Sequence, residues 1–322
     1  MSDDKVTVIG VDEAGLGPIL GPLVISGSAF RVPAEAARED LWEVLNGCVT
    51  REAWQRPYKT MVDDSKVLYT PQVGLEVLEE SVLSFARLAH GPCCEVTELM
   101  DRIDVHRDDL SGVPWYDPGS LRLPLAADEG SLAGRSKALG EGLAECGVEF
   151  LGLRVHPVFE REFNGDMDRL DNKSVALFRW TAAVIADLID RHDGDLVIYC
   201  DRQGGRRRYT RLWEEAFPGS VFRIVTSPPG MTQYDIAWRG RRIGVVFGEK
   251  GDTRWMPTAL ASMASKYIRE IYMAQFNAFW AGHLPELKPT AGYFSDGQRF
   301  LHDVDEVRQR LEIHSEALVR KR

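Results

Sequence analysis

KVTVIGVDEAGLGPILGP, residues 5–22, sets an apolar β-branched run against two adjacent carboxylates and a turn rich in glycine and proline. The run reads as a strand, and a second apolar run, Val24–Phe30, reads as the strand that follows a tight turn. Asp12 and Glu13 therefore arrive together at a strand's C-terminal end. Neighbouring carboxylates repel, and a divalent cation turns that repulsion into attraction, because hard cations prefer oxygen ligands. On its own the pair is more simply a glycine-rich turn with two solvated acids. Other segments of the chain have to decide the matter.

Asp201 closes the buried-strand pattern LVIYCD (196–201), and strand C-termini are where ligands bind in open α/β sheets. Behind it come Gly204-Gly205 and the run Arg206-Arg207-Arg208, a flexible cationic stretch suited to a phosphate backbone. Asp252, in Lys250-Gly251-Asp252, follows another short strand pattern, Ile243–Phe247; alone it is an ordinary turn. Asp64-Ser65-Lys66 adds a hydroxyl and a cation. On the long helical pattern Pro257–Phe279, Ser262, Lys266 and Glu270 share a face at four-residue spacing. Lys266–Glu270 is read as a helical ion pair, with a supporting role at a site as the alternative.

Thr70-Pro71 predicts a helix start, with Val73, Val77, Val82 and Phe85 on its apolar side. Residues 97–140, rich in Asp, Gly, Pro and Ser, read as an insertion or small lid with long loops. Gly147–His156 alternates like a strand, Asn172–His192 is an amphipathic helix, Phe222–Thr226 is a further strand, and a last helix begins near Asp303. Strands interleaved with helices predict an α/β fold, a mixed β-sheet flanked by helices, since the opening hairpin makes a purely parallel sheet unnecessary. The expected division is 1–270 as the catalytic domain, with an insertion at about 85–160, and 271–322 as a C-terminal helical segment.

The chain has 322 residues and a net charge of −10, which argues against a protein coated in nucleic acid while leaving room for a local basic groove. Its five cysteines, Cys48, Cys93, Cys94, Cys146 and Cys200, form no CxxC pair, so neither a zinc site nor a disulfide framework is signalled. No apolar stretch reaches membrane-spanning length and the N-terminus has no signal-peptide pattern, so a cytoplasmic monomer is expected. H-E-x-x-H, GxxxxGK[ST] and G-x-S-x-G are all missing.

Taken in order, these segments resemble ribonuclease HII, of the ribonuclease H superfamily. DEAGLGPILGP matches the opening strand and turn, Asp64-Ser65-Lys66-Val67-Leu68 the D-S-K motif, LVIYCD the third acid, and KGDTRWMPTALASMASKYIRE (250–270) the K-[AG]-D and small-residue helix. Gly292-Tyr293-Phe294-Ser295-Asp296 matches the segment before the terminal helix. The match covers about residues 5–70 and 165–302 and omits the middle. The resemblance implies a ribonuclease H-like fold and four catalytic, metal-binding carboxylates, Asp12, Glu13, Asp201 and Asp252, with two Mg²⁺ or Mn²⁺ ions. It implies a loop, Gly15 and Gly17, whose backbone meets a ribose 2′-hydroxyl, and a stacking tyrosine, Tyr293. Substrate contacts are expected from Gly15, Leu16, Gly17, Ser65, Lys66, Arg206, Arg207, Arg208 and Tyr293. Ser262, Lys266 and Glu270 are expected in support.

Two departures stand out. Leu16 replaces the family's arginine, and Glu270 replaces an aspartate. The implied activity is metal-dependent cleavage of the RNA strand of RNA/DNA hybrids, or of ribonucleotides in duplex DNA, leaving 3′-hydroxyl and 5′-phosphate ends. The alternatives are the same chemistry on branched or single-stranded DNA, a catalytically silent nucleic-acid-binding protein, and a metal-dependent enzyme of small phosphorylated substrates.

Overall fold

The computed structural model describes residues 5–105, 110, 113–116 and 121–321. Nine strands are found among them: β1 (Lys5–Ala14), β2 (Leu23–Pro33), β3 (Val49–Thr50), β4 (Thr60–Met61), β5 (Glu149–Val158), β6 (Leu196–Asp201), β7 (Val221–Val225), β8 (Met231–Trp238) and β9 (Arg241–Gly248). Seven of them form one sheet in the order β5-β2-β1-β6-β9-β8-β7, while β3 and β4 pair separately. β1, β6 and β9 run parallel at its centre, and β2, β5, β8 and β7 join antiparallel. The sheet is therefore mixed, as the hairpin after β1 requires.

Alternation along β1 divides its side chains between two cores. Val8 enters one apolar cluster, with the long helix Met256–His283 and the helices Glu76–His90 and Phe294–Arg310. Ile9 and Val11 enter the other, against the helix Lys173–Arg191. Both faces of the sheet are thus covered, and each fully buried aliphatic side chain stabilises the fold by about 1.5–3 kcal/mol. Gly10 lies on the long-helix face. A Cβ there would fall 2.1 Å from the Pro257 carbonyl carbon. The small-residue start of the helix and the glycine of the strand together permit an approach no side chain would allow.

Several boundaries differ from the sequence reading. The helix expected at Pro71 begins at Glu76, and Val73 is exposed. The helix expected near Asp303 begins at Phe294, because Tyr293 takes the N-cap position. Strand β8 and the helices Glu160–Leu170 and Thr210–Ala216 are additions to that reading. Parts of the 97–140 stretch lie outside the described residues. The rest is less loop-like than expected, with helices at Val96–Ile103 and Glu129–Glu145. Trp115 from this stretch is buried against Trp280, ring centroids 6.2 Å apart. The expected division at 270/271 falls inside the continuous helix Met256–His283, and Phe300, Val304, Val307 and Leu318 join the same core as β1. Among the described residues no helix is long and apolar enough to cross a membrane.

Candidate active site

The three central parallel strands deliver the acids. Val11 of β1 pairs in register with Cys200 of β6, so Asp12 and Asp201 leave the sheet side by side. Asp201 in turn is level with Gly248, the end of β9, from which the chain turns through Lys250 to Asp252. That turn closes on the first acid cluster: the Gly251 amide donates to Asp201 Oδ1 at 2.7 Å and the Arg202 amide to Gly248 O at 2.9 Å. Asp12 points to the same face as Gly10. There Ser262 of the long helix hydrogen-bonds its carboxylate, and Ser265 Oγ donates to its backbone carbonyl at 3.1 Å. The small residues on this helix are what bring it within reach.

The four carboxylates act on one another electrostatically. Asp12 is held well above the usual carboxylate range by burial, then by the charges of Glu13 and Asp201, with Asp252 adding to them. Burial and Asp201 push Glu13 up to about 7, opposed by Lys66. Asp201 is raised by burial and by Asp252, against the Gly251 amide. Asp252 is raised by burial and by the charge of Asp64, again against Lys66. Asp12 and Asp252 are each 8% exposed. Buried acids that raise one another are characteristic of sites that take up a cation or a shared proton.

The donors are oxygens throughout, which suits a hard divalent ion. Among the described residues no group of three or more His, Cys, Asp or Glu is gathered closely enough to hold a metal as it stands. The neighbourhood of the carboxylates is visible in their mutual charge effects, not in a closed ligand cage.

The remaining predicted residues divide. Ser65 is buried and its Oγ lies 3.2 Å from Ser262 Oγ, while Lys66 stands at the surface with Nζ 4.0 Å from Asp252. Both therefore border the acids. Gly15 has φ +90°, and a Cβ there would overlap the Arg269 side chain at 2.4 Å, so the turn after β1 needs glycine at that position. Leu16 is partly buried against the second apolar cluster. Arg206 is engaged by Ser174 Oγ at 2.7 Å, whereas Arg207 and Arg208 are exposed. Tyr293 is 57% exposed. Glu270 is occupied, with Lys266 Nζ at 2.5 Å and the Tyr69 hydroxyl donating at 2.8 Å.

Sequence reading misses Gly251 and Ser265 as partners of the acids, and misses Asp64, visible in its motif but not as a charge beside Asp252. It also misses Glu160, Arg269 and Arg320 behind the glycine turn. The local signal for Gly251 and Ser265 is present in their motifs; for the other three there is none, since their partners are distant in sequence.

No protein-family model matches the chain. Among curated proteins, a ribonuclease H2 subunit from Neurospora crassa is 29% identical over 164 residues, and the matched stretch is 51% of this chain and 38% of that relative's length. Among solved structures, ribonuclease H2 from Pyrococcus horikoshii OT3 matches with a TM-score of 0.44 at 14% identity, covering 97% of this chain and 92% of that one. Ribonuclease HII from Archaeoglobus fulgidus, solved in a complex with PCNA, matches with a TM-score of 0.41 at 17% identity, covering 98% and 95%. Bst-RNase HIII, solved with Mn²⁺, matches with a TM-score of 0.43 at 11% identity, covering 98% and 66%. At such identities and scores the structural likenesses carry no argument beside the strand register and the placement of the acids. The chain is similar to proteins of the ribonuclease HII and HIII type and divergent from each of these relatives.

Proposed function

We propose that this chain is a ribonuclease H-type endonuclease that hydrolyses the RNA strand of RNA/DNA hybrids, or ribonucleotides within duplex DNA. The observation that carries the reading is the placement of Asp12 and Glu13 near the end of β1, Asp201 at the end of β6 and Asp252 just past β9, where burial raises all four and the charges of Glu13, Asp201 and Asp252 all act on Asp12. These four would hold two Mg²⁺ or Mn²⁺ ions. Such ions, when bound, lower the pKa of a water and neutralise charge on the departing oxygen.

The chain's own residues do the rest. Ser262 and Ser265 fix the orientation of Asp12, and Gly251 fixes that of Asp201. Lys66, exposed beside Asp252, and Arg207 and Arg208 meet phosphates as positioning contacts that carry no sequence information. The Gly15–Gly17 amides meet the 2′-hydroxyl, which distinguishes RNA from DNA. Tyr293, exposed at its helix N-cap, offers a ring for stacking. Products carry 3′-hydroxyl and 5′-phosphate ends.

One observation favours a second reading with the same site and an altered substrate, such as branched or single-stranded DNA. Leu16 packs toward the apolar interior, so no cation is supplied from that position to a phosphate. A cleavage panel decides between the two. An RNA/DNA hybrid, a duplex with one embedded ribonucleotide, and plain DNA in duplex, single-stranded and branched form are incubated with Mg²⁺ or Mn²⁺. Cleavage of the first two, abolished by Asp201→Asn, supports the ribonuclease reading. Cleavage of plain DNA alone supports the second. No metal-dependent cleavage of any substrate overturns both and leaves a silent binding protein.

A further inference from the structure

The turn that follows β1 is held from below by two buried arginines. Arg320 is 2% exposed and Arg269 3%. One Arg320 Nη donates to Gly15 O at 2.6 Å and also to Pro18 O, while the Arg320 amide donates to Ile19 O at 2.9 Å. Arg269 donates to Leu20 O at 3.4 Å and to Ala291 O at 3.0 Å. Glu160, fully buried, accepts from the Gly21 amide at 3.1 Å. The carbonyls of Gly15, Pro18, Ile19 and Leu20 are thus each held by one of these two arginines.

Burying a guanidinium is costly unless its donors are used. Arg320 lies over the Phe163 ring at 4.9 Å, and its Nε and Nη1 have no hydrogen-bond partner among the described residues. Burial pulls Arg320 down to about 10, with Arg269 adding to the fall and Glu160 opposing it. What the fold gains in return is control of two loop carbonyls. In a trans peptide the carbonyl of one residue and the amide of the next point in opposite directions. Drawing Gly15 O down to Arg320 therefore turns the Leu16 amide to the opposite side of the loop.

We propose that Arg320 is a positioning residue for ribose recognition: its hold on the Gly15 and Pro18 carbonyls fixes the Leu16 amide in the direction from which it donates to a substrate 2′-hydroxyl. This rests on the ribonuclease reading above. The residue lies some three hundred positions from the turn it sets, in a segment outside the stretch that resembles ribonuclease HII.

The test is equilibrium binding with the full chain in an Asp201→Asn background, so that substrate is not consumed. A duplex carrying one ribonucleotide is compared with the same duplex in DNA alone. Arg320→Gln is expected to remove about tenfold of the preference for the ribonucleotide duplex while changing DNA-only affinity by less than about twofold. Arg320→Lys, which keeps the charge but carries it on a flexible stem that does not fix the donor where the planar guanidinium holds its Nη, is expected to lose part of the preference and to keep the melting temperature; it serves if the glutamine variant fails to fold. Lys321→Ala, at an exposed side chain paired with Asp168 at 2.6 Å, is expected to change neither affinity.

Retention of the full preference in both Arg320 variants overturns the proposal. So does an equal loss on both duplexes, which is what a general structural role would give. A parent protein with no preference for the ribonucleotide overturns the ribonuclease reading itself, and this inference with it.

Discussion

The four carboxylates at the ends of β1, β6 and Lys250–Asp252, and the group formed by Glu160, Tyr116, Arg269 and Arg320, border the same turn and are both buried, yet they are composed on opposite plans. In the first, like charges raise their neighbours and, among the described residues, the cation that opposes them is the exposed Lys66. In the second, Glu160 accepts from the Tyr116 hydroxyl at 2.9 Å and from the Gly21 amide, and its charge offsets that of Arg320. A cluster whose charges oppose one another is completed from outside the chain. A cluster whose charges compensate is completed within it. Burial alone does not distinguish a binding site from a structural brace; the sign pattern of the buried charges does.

The sharpest way to break this contrast is to neutralise one member of the acidic cluster without changing its shape. Asp12→Asn still accepts the Glu13 amide, which lies 2.8 Å from Oδ1. Cleavage by the metal-loaded protein is expected to fall by at least about a thousandfold, since several kcal/mol of barrier depend on such a site. Thermal stability without added metal is expected to hold or rise, because a buried repulsion has been removed. A melting temperature lowered by several degrees would show that the acids are structural, and would end the contrast.

The mirror experiment truncates the compensated cluster. Glu160→Ala leaves Arg320 without the carboxylate whose charge offsets its own, and strands the Gly21 amide and the Tyr116 hydroxyl. A loss of about 3 kcal/mol in chemical denaturation is expected, as for other buried pairs deprived of one partner. A loss under about 1 kcal/mol would mean that water reaches the arginines and that the brace is not closed.

The two clusters also differ in how far they can be read without coordinates. Asp12, Glu13, Asp201 and Asp252 each follow a β-branched or apolar run, so strand ends and acids are visible together, and parallel strands bring such ends to one edge. The central strands and the long helix are legible for the same reason: their apolar periodicity is local. Glu160 opens a helix whose sequence, EREFNGDMDRL, is polar on average, and its partners lie in the turn at Gly21 and at Tyr116. Arg320 pairs with carbonyls, and a carbonyl leaves no mark on residue identity. Strand β8 escapes the sequence because MTQYDIAW mixes polar and apolar positions, as a strand near the sheet margin does. The helix start moves from Pro71 to Glu76 because Thr70 caps a turn instead, its Oγ accepting the Val73 amide at 3.2 Å.

A titration sharpens the contrast at smaller cost. Glu13 is raised by burial and Asp201 from 4.5 to about 7, so between those values the folded protein holds a proton that the unfolded chain has released. Stability is therefore present below that window and is lost as pH rises through it. Glu160, raised by burial from 4.5 to about 7, adds to the same loss. Divalent cations compete with protons for the acidic cluster only. At pH 8, millimolar Mn²⁺ is expected to raise the melting temperature by a few degrees, about 1–2 kcal/mol, and near pH 5 to do almost nothing. Asp12→Asn should blunt the Mn²⁺ response, and Glu160→Gln should leave it intact. An equal shift at both pH values, or a response lost in both variants, would place the cation elsewhere.

The smallest expected effect concerns Glu270, which stands between the two plans and touches the second through Arg269 Nη1 at 3.8 Å. It replaces an aspartate of the resembled family, and its carboxylate is already engaged: Lys266 Nζ lies 2.5 Å from Oε1, Tyr69 donates to Oε2 at 2.8 Å, and Lys266 also lies 4.7 Å from the Tyr69 ring. Burial and the charge of Glu270 together raise the Tyr69 hydroxyl, which keeps it a donor. A carboxylate so occupied has a cation of its own and no need of a metal. Glu270→Gln retains an acceptor for Tyr69 and loses the ion pair with Lys266 and the longer one with Arg269 Nη1 at 3.8 Å, so a stability loss of about 1 kcal/mol is expected, with cleavage changed by less than about threefold. The concentration of Mn²⁺ giving half-maximal activity should not move. If it rises tenfold or more while stability is unchanged, Glu270 takes part in holding the ion, and the boundary of the acidic cluster extends along the long helix beyond Ser262.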